Sequence, residues 1–455
     1  MFRSVLVLGL ALVGCTSGPP DAPEIPLSVE PYVFEANDGT QVQAEKGVIE
    51  VPEMRGDPGS RTIPLTFVRF PSTAENPGAP IIYLAGGPGG SGVATAEGAR
   101  FEIFMALREV ADVIALDQRG TGMSNIVPAC DPETAMPATM LTRDSLVDYY
   151  RAGLSECFNW WTQQGVGIDG YTTAASAQDV ADLRDALGVE RVNLWGISYG
   201  SHLGLAIMKR HPEIVERAVF AGIEGLDETV KRPALTDAYL ARMQARIDAD
   251  TKASAYFPDL AGLMRSVHDE LNARPAVASV RVPGSDETLS VTFDGFAVQL
   301  LTSTSVADPA GFARIPLLYL ALANGQYDMA AGFLYQGLAG QAAQFRGMPE
   351  AMDLASGISA ERLALVRAEA ETAVLGDALN FPMPHILGIR PGIDLGEEFR
   401  SEFASDAPVL LISGTLDGRT YPEASAALVG SFANGARLVV DGGGHNIFEA
   451  DARVA

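Results

Sequence analysis

The five residues Gly196-Ile197-Ser198-Tyr199-Gly200 constrain this chain more than any other stretch. They read G-x-S-x-G. Before them, Arg191-Val192-Asn193-Leu194 reads as a short buried strand. After them, His202 to Arg210 reads as a helix with Leu203, Ala206 and Ile207 on one face. The serine therefore falls on a sharp strand-to-helix turn. A serine held in a strained backbone conformation needs neighbours without Cβ, or strand and helix collide. Its hydroxyl then projects from the sheet edge, and the helix N-terminus behind it favours developing negative charge. A glycine-rich turn with an ordinary surface serine shares this local pattern, so the rest of the chain has to decide between the two.

The surrounding texture supplies a fold. Residues 28 to about 70 alternate apolar and polar, as in Gly47-Val48-Ile49-Glu50-Val51, and predict antiparallel strands. Turns are expected at Asn37-Asp38-Gly39 and at Arg55-Gly56-Asp57-Pro58-Gly59. Beyond them come continuous apolar runs: Pro80 to Leu84, Val113 to Leu116, Val192 to Leu194, Ala218 to Phe220, Val409 to Ile412 and Leu438 to Val440. Such runs fit strands buried on both faces, as in a parallel sheet. Helical patterns lie between them. One is expected to start at Ser176-Ala177-Gln178-Asp179, read as a capping box, and to close at Gly188. Strands alternating with helices predict an α/β fold with a mostly parallel, doubly wound sheet. From about Leu226 to Asp406 the strand runs mostly vanish and the pattern is largely helical, for example over Ala360 to Leu375. The expected organisation is a core over 28–225, a helical cap over 226–405 and the rest of the core over 406–455.

Ser198 needs a base, and the base needs an acid to orient it. The last two strand runs each lead into a loop that offers one. Leu410 to Leu416 leads to Asp417, and Leu438 to Gly444 leads to His445. Of the five histidines, His202 sits where its ring cannot reach back round the turn. His211 follows that helix, and His268 and His385 lie in the helical insertion. Asp441 competes for the acid but belongs more naturally to the strand end. Leu84-Ala85-Gly86-Gly87-Pro88-Gly89-Gly90 follows the first buried strand. Two convergent N–H donors for an oxyanion are expected from Gly87 in this loop and from Tyr199. A phosphate loop is excluded because no G-K-[ST] follows. Asp117 and Arg119, in Asp117-Gln118-Arg119-Gly120-Thr121-Gly122-Met123-Ser124, are expected to pair with each other and brace the loops.

The net charge of −25 over 455 residues argues against nucleic acid as a partner. Met1-Phe2-Arg3 followed by apolar Val5 to Val13 has the shape of a secretion signal. It meets Cys15 directly, as in a bacterial lipobox. A lipoprotein signal over 1–15 with cleavage before Cys15, a lipid on the Cys15 sulfur and a tether over 16–27 are therefore expected; an ordinary signal peptide with an incidental cysteine is the other reading. The membrane is met through that anchor alone, and the site is the cell envelope. Cys130 and Cys157 remain. In an exported chain an even remainder suggests a disulfide; two buried free thiols is the other reading. Two cysteines without nearby histidines make a poor zinc site, and no cofactor is called for. The sequence does not specify an oligomeric state.

Taken together, Gly86-Gly87-Pro88-Gly89, the Asp117 block, Tyr171-Thr172-Thr173, Gly196-Ile197-Ser198-Tyr199-Gly200 and the Asp417 and His445 loops resemble the proline iminopeptidase and tripeptidyl aminopeptidase family. The resemblance covers roughly 80–225 and 405–450. It implies the α/β-hydrolase fold with a helical cap, and a triad in the chain order Ser198, Asp417, His445. It also implies peptide substrates cut from their N-termini. The placement of Cys130 and Cys157 is similar to the secreted tripeptidyl branch, where a disulfide is implied. Ala85 departs from the histidine that many relatives carry before the glycines. An aminopeptidase needs a negative group for the substrate's α-ammonium, and Glu224, after the strand Ala218 to Phe220, is the candidate. An esterase using the same triad and an inactive surface-binding lipoprotein are the alternatives.

Overall fold

The computed structural model describes residues 25–339 and 344–450; Cys15 and its neighbours lie outside the described residues. Among the described residues twelve strands are formed. They are β1 (Leu27–Glu35), β2 (Gln41–Pro52), β3 (Thr62–Phe70), β4 (Gly78–Leu84), β5 (Ala111–Leu116), β6 (Met140–Leu141), β7 (Val192–Ile197), β8 (Val215–Ala221), β9 (Ala276–Arg281), β10 (Thr288–Phe293), β11 (Val409–Gly414) and β12 (Gly435–Val440). Nine of them make one sheet in the order β1-β2-β3-β5-β4-β7-β8-β11-β12. The alternating N-terminal residues form an antiparallel meander, β1 on β2 on β3, with Gly39 at φ +86° in the first turn. β3 pairs antiparallel with β5. From β5 to β12 every pairing is parallel. The continuous apolar runs thus fall on the parallel part and are mostly buried, except the last: in the edge strand β12, expected to be buried on both faces, Leu438 and Val439 are 42% and 39% exposed, because an edge strand has a neighbour on one side only.

β4 lies between β5 and β7, so the chain first winds one way along the sheet and then the other. Ligands of such sheets bind outside the carboxyl ends of the strands near that reversal. Ser198, the Gly86–Gly90 loop, Asp117, Glu224, Asp417 and His445 all follow the carboxyl ends of parallel strands.

Local structure departs from the sequence expectations in three further places. The helix expected to start at Ser176 runs over Thr173–Ala186. Thr172 caps it by accepting a hydrogen bond from the Ala175 N–H at 3.1 Å. The side chain of Asp179 is therefore free for another partner. Second, the segment 226–405 is not all helix. Ala276–Arg281 buries alternate residues and pairs antiparallel with β10, and β6 joins them in a three-stranded sheet. Third, the later part of that segment shares a buried cluster with the sheet helices. Phe345, Met348, Met352, Ile358 and Phe399 belong with Tyr199, Leu203 and Ile207. A second cluster gathers Leu240, Met264, His268's neighbours Val267 and Leu271, and Tyr319 with Leu416 and Tyr421 from the loop after β11.

Cys130 and Cys157 are joined in a disulfide with their Cα atoms 5.7 Å apart. The bond ties the loop around Cys130 to the helix Arg143–Gln163.

Candidate active site

Ser198 sits between β7 and the helix Tyr199–Arg210 at φ 56°, ψ −129°. Among the described residues it is the one non-glycine residue with positive φ. Such a conformation costs of order 1–3 kcal/mol and persists because the surroundings over-determine it. Here the determinants are close backbone approaches. A Cβ on Gly200 would stand 2.0 Å from the Leu84 carbonyl oxygen, and one on Gly196 would stand 2.6 Å from that of Gly200. The Ser198 N–H donates to the Ala221 carbonyl at 3.1 Å, which locks the turn to the end of β8.

The acid and the histidine come from the next two strand ends. Asp417 is fully buried. Its Oδ2 lies 2.9 Å from His445 Nδ1. Its Oδ1 accepts from the Arg419 and Thr420 N–H groups, each at 2.8 Å. The Thr420 hydroxyl donates to Oδ2 at 2.7 Å and stands 3.2 Å from His445 Nδ1. Thr420 was not anticipated from the sequence. The signal was the spacing Asp417-Gly418-Arg419-Thr420, in which a carboxylate can cap the turn that follows it. His445 lies beside the serine turn: a Cβ on Gly222, the residue after Ala221, would be 3.2 Å from its Cε1. The insertion steadies both loops. The Gly418 N–H donates to the Val306 carbonyl at 3.1 Å, and the His445 N–H to that of Ala307 at 2.8 Å. Asp441 takes no part, since it pairs with Arg246 at the surface.

The glycine loop stands against the serine. A Cβ on Gly86 would be 3.2 Å from Ser198 Cβ and 2.9 Å from the Ile197 carbonyl oxygen. Gly87 has φ +126°, which an L side chain rarely adopts. Tyr199 opens its helix, so its N–H has no place in the helical ladder. These are the positions from which two donors could converge on an oxyanion. Gln118 Nε2 supports the loop by donating to the Ala85 carbonyl at 3.2 Å.

Asp117 and Arg119 do brace these loops, but not through each other. Asp117 accepts from the Ser91 hydroxyl at 2.6 Å and from the N–H groups of Val93 at 3.1 Å and Met123 at 2.7 Å. Arg119, fully buried, forms a two-pronged pair with Asp179 at 2.7 and 2.6 Å. It also donates to the Glu53 and Gly170 carbonyls. Asp179 could not be assigned this role while it was read as part of a capping box.

Glu224 is buried, and its N–H donates to the Ser201 hydroxyl at 2.9 Å. Its carboxylate is paired internally with Lys231 Nζ at 2.5 Å. Burial opposes the charge, but the Lys231 ammonium and the nearby His202 outweigh it and hold the carboxyl below its usual range. His202 itself is fully buried. Its ring meets the Gly225 carbonyl at 3.1 Å and the Ser356 hydroxyl at 3.0 Å, and burial lowers its pKa.

Over residues 79–452 the chain matches the family model described as the alpha/beta hydrolase fold. It is 28% identical over 186 residues to the serine protease Hip1 of Mycobacterium tuberculosis, covering 39% of this chain and 35% of that protein. It is 30% identical over 192 residues to a tripeptidyl aminopeptidase of Streptomyces coelicolor, covering 38% and 34%. A probable proline iminopeptidase of the same organism matches at 32% identity over 152 residues, covering 33% and 35%. The chain therefore spans about a third of the length of these curated relatives. A strained serine on a strand-to-helix turn, a hydrogen-bonded Asp–His pair from the two following strand ends, and a family match across both parts of the sheet agree: this chain belongs to the alpha/beta hydrolase fold family.

Proposed function

We propose that the protein is an exported serine aminopeptidase that releases N-terminal residues from peptides through an acyl-enzyme. The observation that carries this reading is the 2.9 Å contact between Asp417 and His445 beside the strained Ser198. In this reading Ser198 attacks the scissile carbonyl. His445 takes the hydroxyl proton and later returns it to the leaving amine, while Asp417 fixes the imidazole tautomer and stabilises the imidazolium. N–H groups of Gly87 and Tyr199 hold the oxyanion. Water then attacks the acyl-enzyme by the same route. The serine-peptidase relatives support a peptide substrate, and the tripeptidyl aminopeptidase and proline iminopeptidase relatives support attack from the N-terminus. The leader and Cys15 support export with a lipid anchor.

A serine-reactive fluorophosphonate and a panel of peptide amides, N-acetylated peptide amides and simple esters test the reading. Ser198→Ala is expected to lose labelling and about 10⁴-fold or more in turnover while circular dichroism stays unchanged. Turnover within tenfold of wild type would dismiss the triad. Equal cleavage of free and acetylated peptides would dismiss the aminopeptidase class. Loss of lipid incorporation in Cys15→Ala checks the anchor.

A further inference from the structure

Asp417 and His445 each stand beside a glycine, Gly418 and Gly444, and neither glycine has a positive φ. Backbone conformation is therefore not what keeps them small. The insertion is. A Cβ on Gly418 would overlap the Val306 carbonyl oxygen and stand 2.8 Å from Val306 Cβ. One on Gly444 would overlap Asp308 Oδ1 and stand 2.9 Å from Asp308 Cα. Residues 306–308 thus lie as a strap across both triad loops, between the insertion helices Gly295–Ser303 and Pro309–Phe312. Val306 is fully buried, and its carbonyl accepts the Gly418 N–H. The next carbonyl, of Ala307, accepts the N–H of His445 itself.

Asp308 ends the strap. An aspartate just before a proline at the start of a helix ordinarily caps that helix. Here its side chain makes no capping bond. It turns to the histidine loop instead. Its Oδ1 accepts the Asn446 N–H at 3.2 Å, and its Oδ2 accepts the Asn446 side-chain amide at 2.9 Å. Among the described residues no cation pairs with this carboxylate. The other end of the Asn446 side chain, Oδ1, accepts from Arg100 Nη2 of the core at 3.4 Å. Two successive backbone N–H groups, of His445 and Asn446, are therefore held by the insertion. The strand that leads into this loop, β12, is the sheet edge and has a neighbour on one side only.

We propose that Asp308 is a positioning residue for the triad: through Asn446 it sets where His445 stands, so that the insertion takes part in assembling the catalytic constellation. The inference rests on the reading of His445 as the base of Ser198. The carboxylate grips the residue after the histidine at two points, which fixes both the place and the tilt of that peptide. A misplacement of about 1 Å in a catalytic group can cost about 10²-fold in rate. A mere tie between insertion and sheet would instead leave the rate of every folded molecule as it is.

The test exchanges the two partners. Asp308→Asn alone turns an amide N–H onto the Asn446 amide, so that two donors meet. Asn446→Asp alone sets two carboxylates against each other. Together the two changes restore one donor facing one acceptor with the roles reversed, and the carboxylate at 446 still accepts from Arg100. Wild type, both single variants, the double variant and Ser198→Ala are labelled with a fluorophosphonate, beside steady-state hydrolysis of a chromogenic ester. The final extent of labelling counts folded protein, and its rate reads the nucleophile with its base. Each single variant should label to full extent but about tenfold more slowly, with kcat lower by the same factor and KM within about twofold. The double variant should return to within about threefold of the wild-type rate. Single variants that label fully at the wild-type rate would overturn the assignment. A lower extent at an unchanged rate would also overturn it, because Asp308 would then serve the fold alone. So would slow single variants with no recovery in the double variant, or a loss confined to KM. Wild-type labelling of Ser198→Ala would instead overturn the triad reading on which the inference rests.

Discussion

Thr420 shows how much of the chemistry hangs on one hydroxyl. It donates to the oxygen of Asp417 that also meets His445, so it sets where that carboxylate points. Thr420→Val keeps the shape and removes the donor, leaving Asp417 its two backbone partners. A hydrogen bond to a charged group contributes about 1.5–3 kcal/mol. Its loss here should lower kcat by about tenfold or more, with KM unchanged, in steady-state assays. A rise in KM with kcat intact would place Thr420 on the substrate side. Asp353 offers the opposite case, a residue that harms the fold. Its folded pKa of about 7 lies above its ordinary value of 3.8. A raised pKa means that its contribution to stability is fully present below the unfolded value and is lost as pH rises through the folded one. Asp353→Asn should therefore be more stable than wild type, by a margin that is small near pH 4, grows up to about pH 7 and is constant beyond. Melting temperatures across that range check the sign. A destabilised variant at pH 8 would mean that the carboxylate has a cation even in the free protein.

At the scale of elements, the disulfide joins pieces that converge on the helix Met348–Ser356. Cys157 lies in the helix Arg143–Gln163, and Cys130 exchanges backbone hydrogen bonds with Phe345, at 2.8 and 3.0 Å, three residues before Met348. Cys157→Ser should cost about 3 kcal/mol in denaturant unfolding by the chain-entropy argument. Elements like these mark the limit of what the sequence discloses. The inner parallel strands could be read because strands buried on both faces are apolar throughout, and Ser198, Asp417 and His445 because each follows an apolar run, although the run before His445 is an exposed edge strand. The hairpin of β9 and β10 escaped because it is short, half exposed and set among helices. The partner of Arg119 escaped because Asp179 is 60 residues away and its local pattern also suits a cap. The packing of the helix Met348–Ser356 escaped for the same reason: Pro349 and Met352 meet Gly89 and the Tyr199 hydroxyl, which periodicity along 348–356 does not register.

The whole molecule is divided between its two main buried clusters, and acid should separate them. His268 lies in the second, under the Tyr319 hydroxyl at 2.7 Å, which in turn meets Thr302 at 2.9 Å. Burial lowers its pKa to about 4 from 6.5. A depressed folded pKa means that the native state stays neutral while the unfolded chain takes up a proton. The stability this group contributes is thus complete above about 6.5 and is lost as pH falls towards 4. Integrated over that window the loss is about 3 kcal/mol, a large share of the stability of any one cooperative unit. Against the sheet cluster, beside Tyr199 and Phe399, packs His202, whose pKa burial also lowers. That ring, however, is wedged between Gly225 and Ser356 inside a far larger apolar body. The second cluster should therefore melt first. Calorimetry at pH 7 should give one transition, or two that nearly coincide. At pH 4.5 a separate low-temperature transition should emerge, and amide exchange should localise it to Leu260–Ala273 and Ile315–Ala323, the helices that carry His268 and Tyr319. His268→Phe should abolish that pH dependence while leaving the higher transition in place. If both transitions moved together with pH, or if His268→Phe left the acid shift unchanged, the two clusters would have to be treated as one cooperative body.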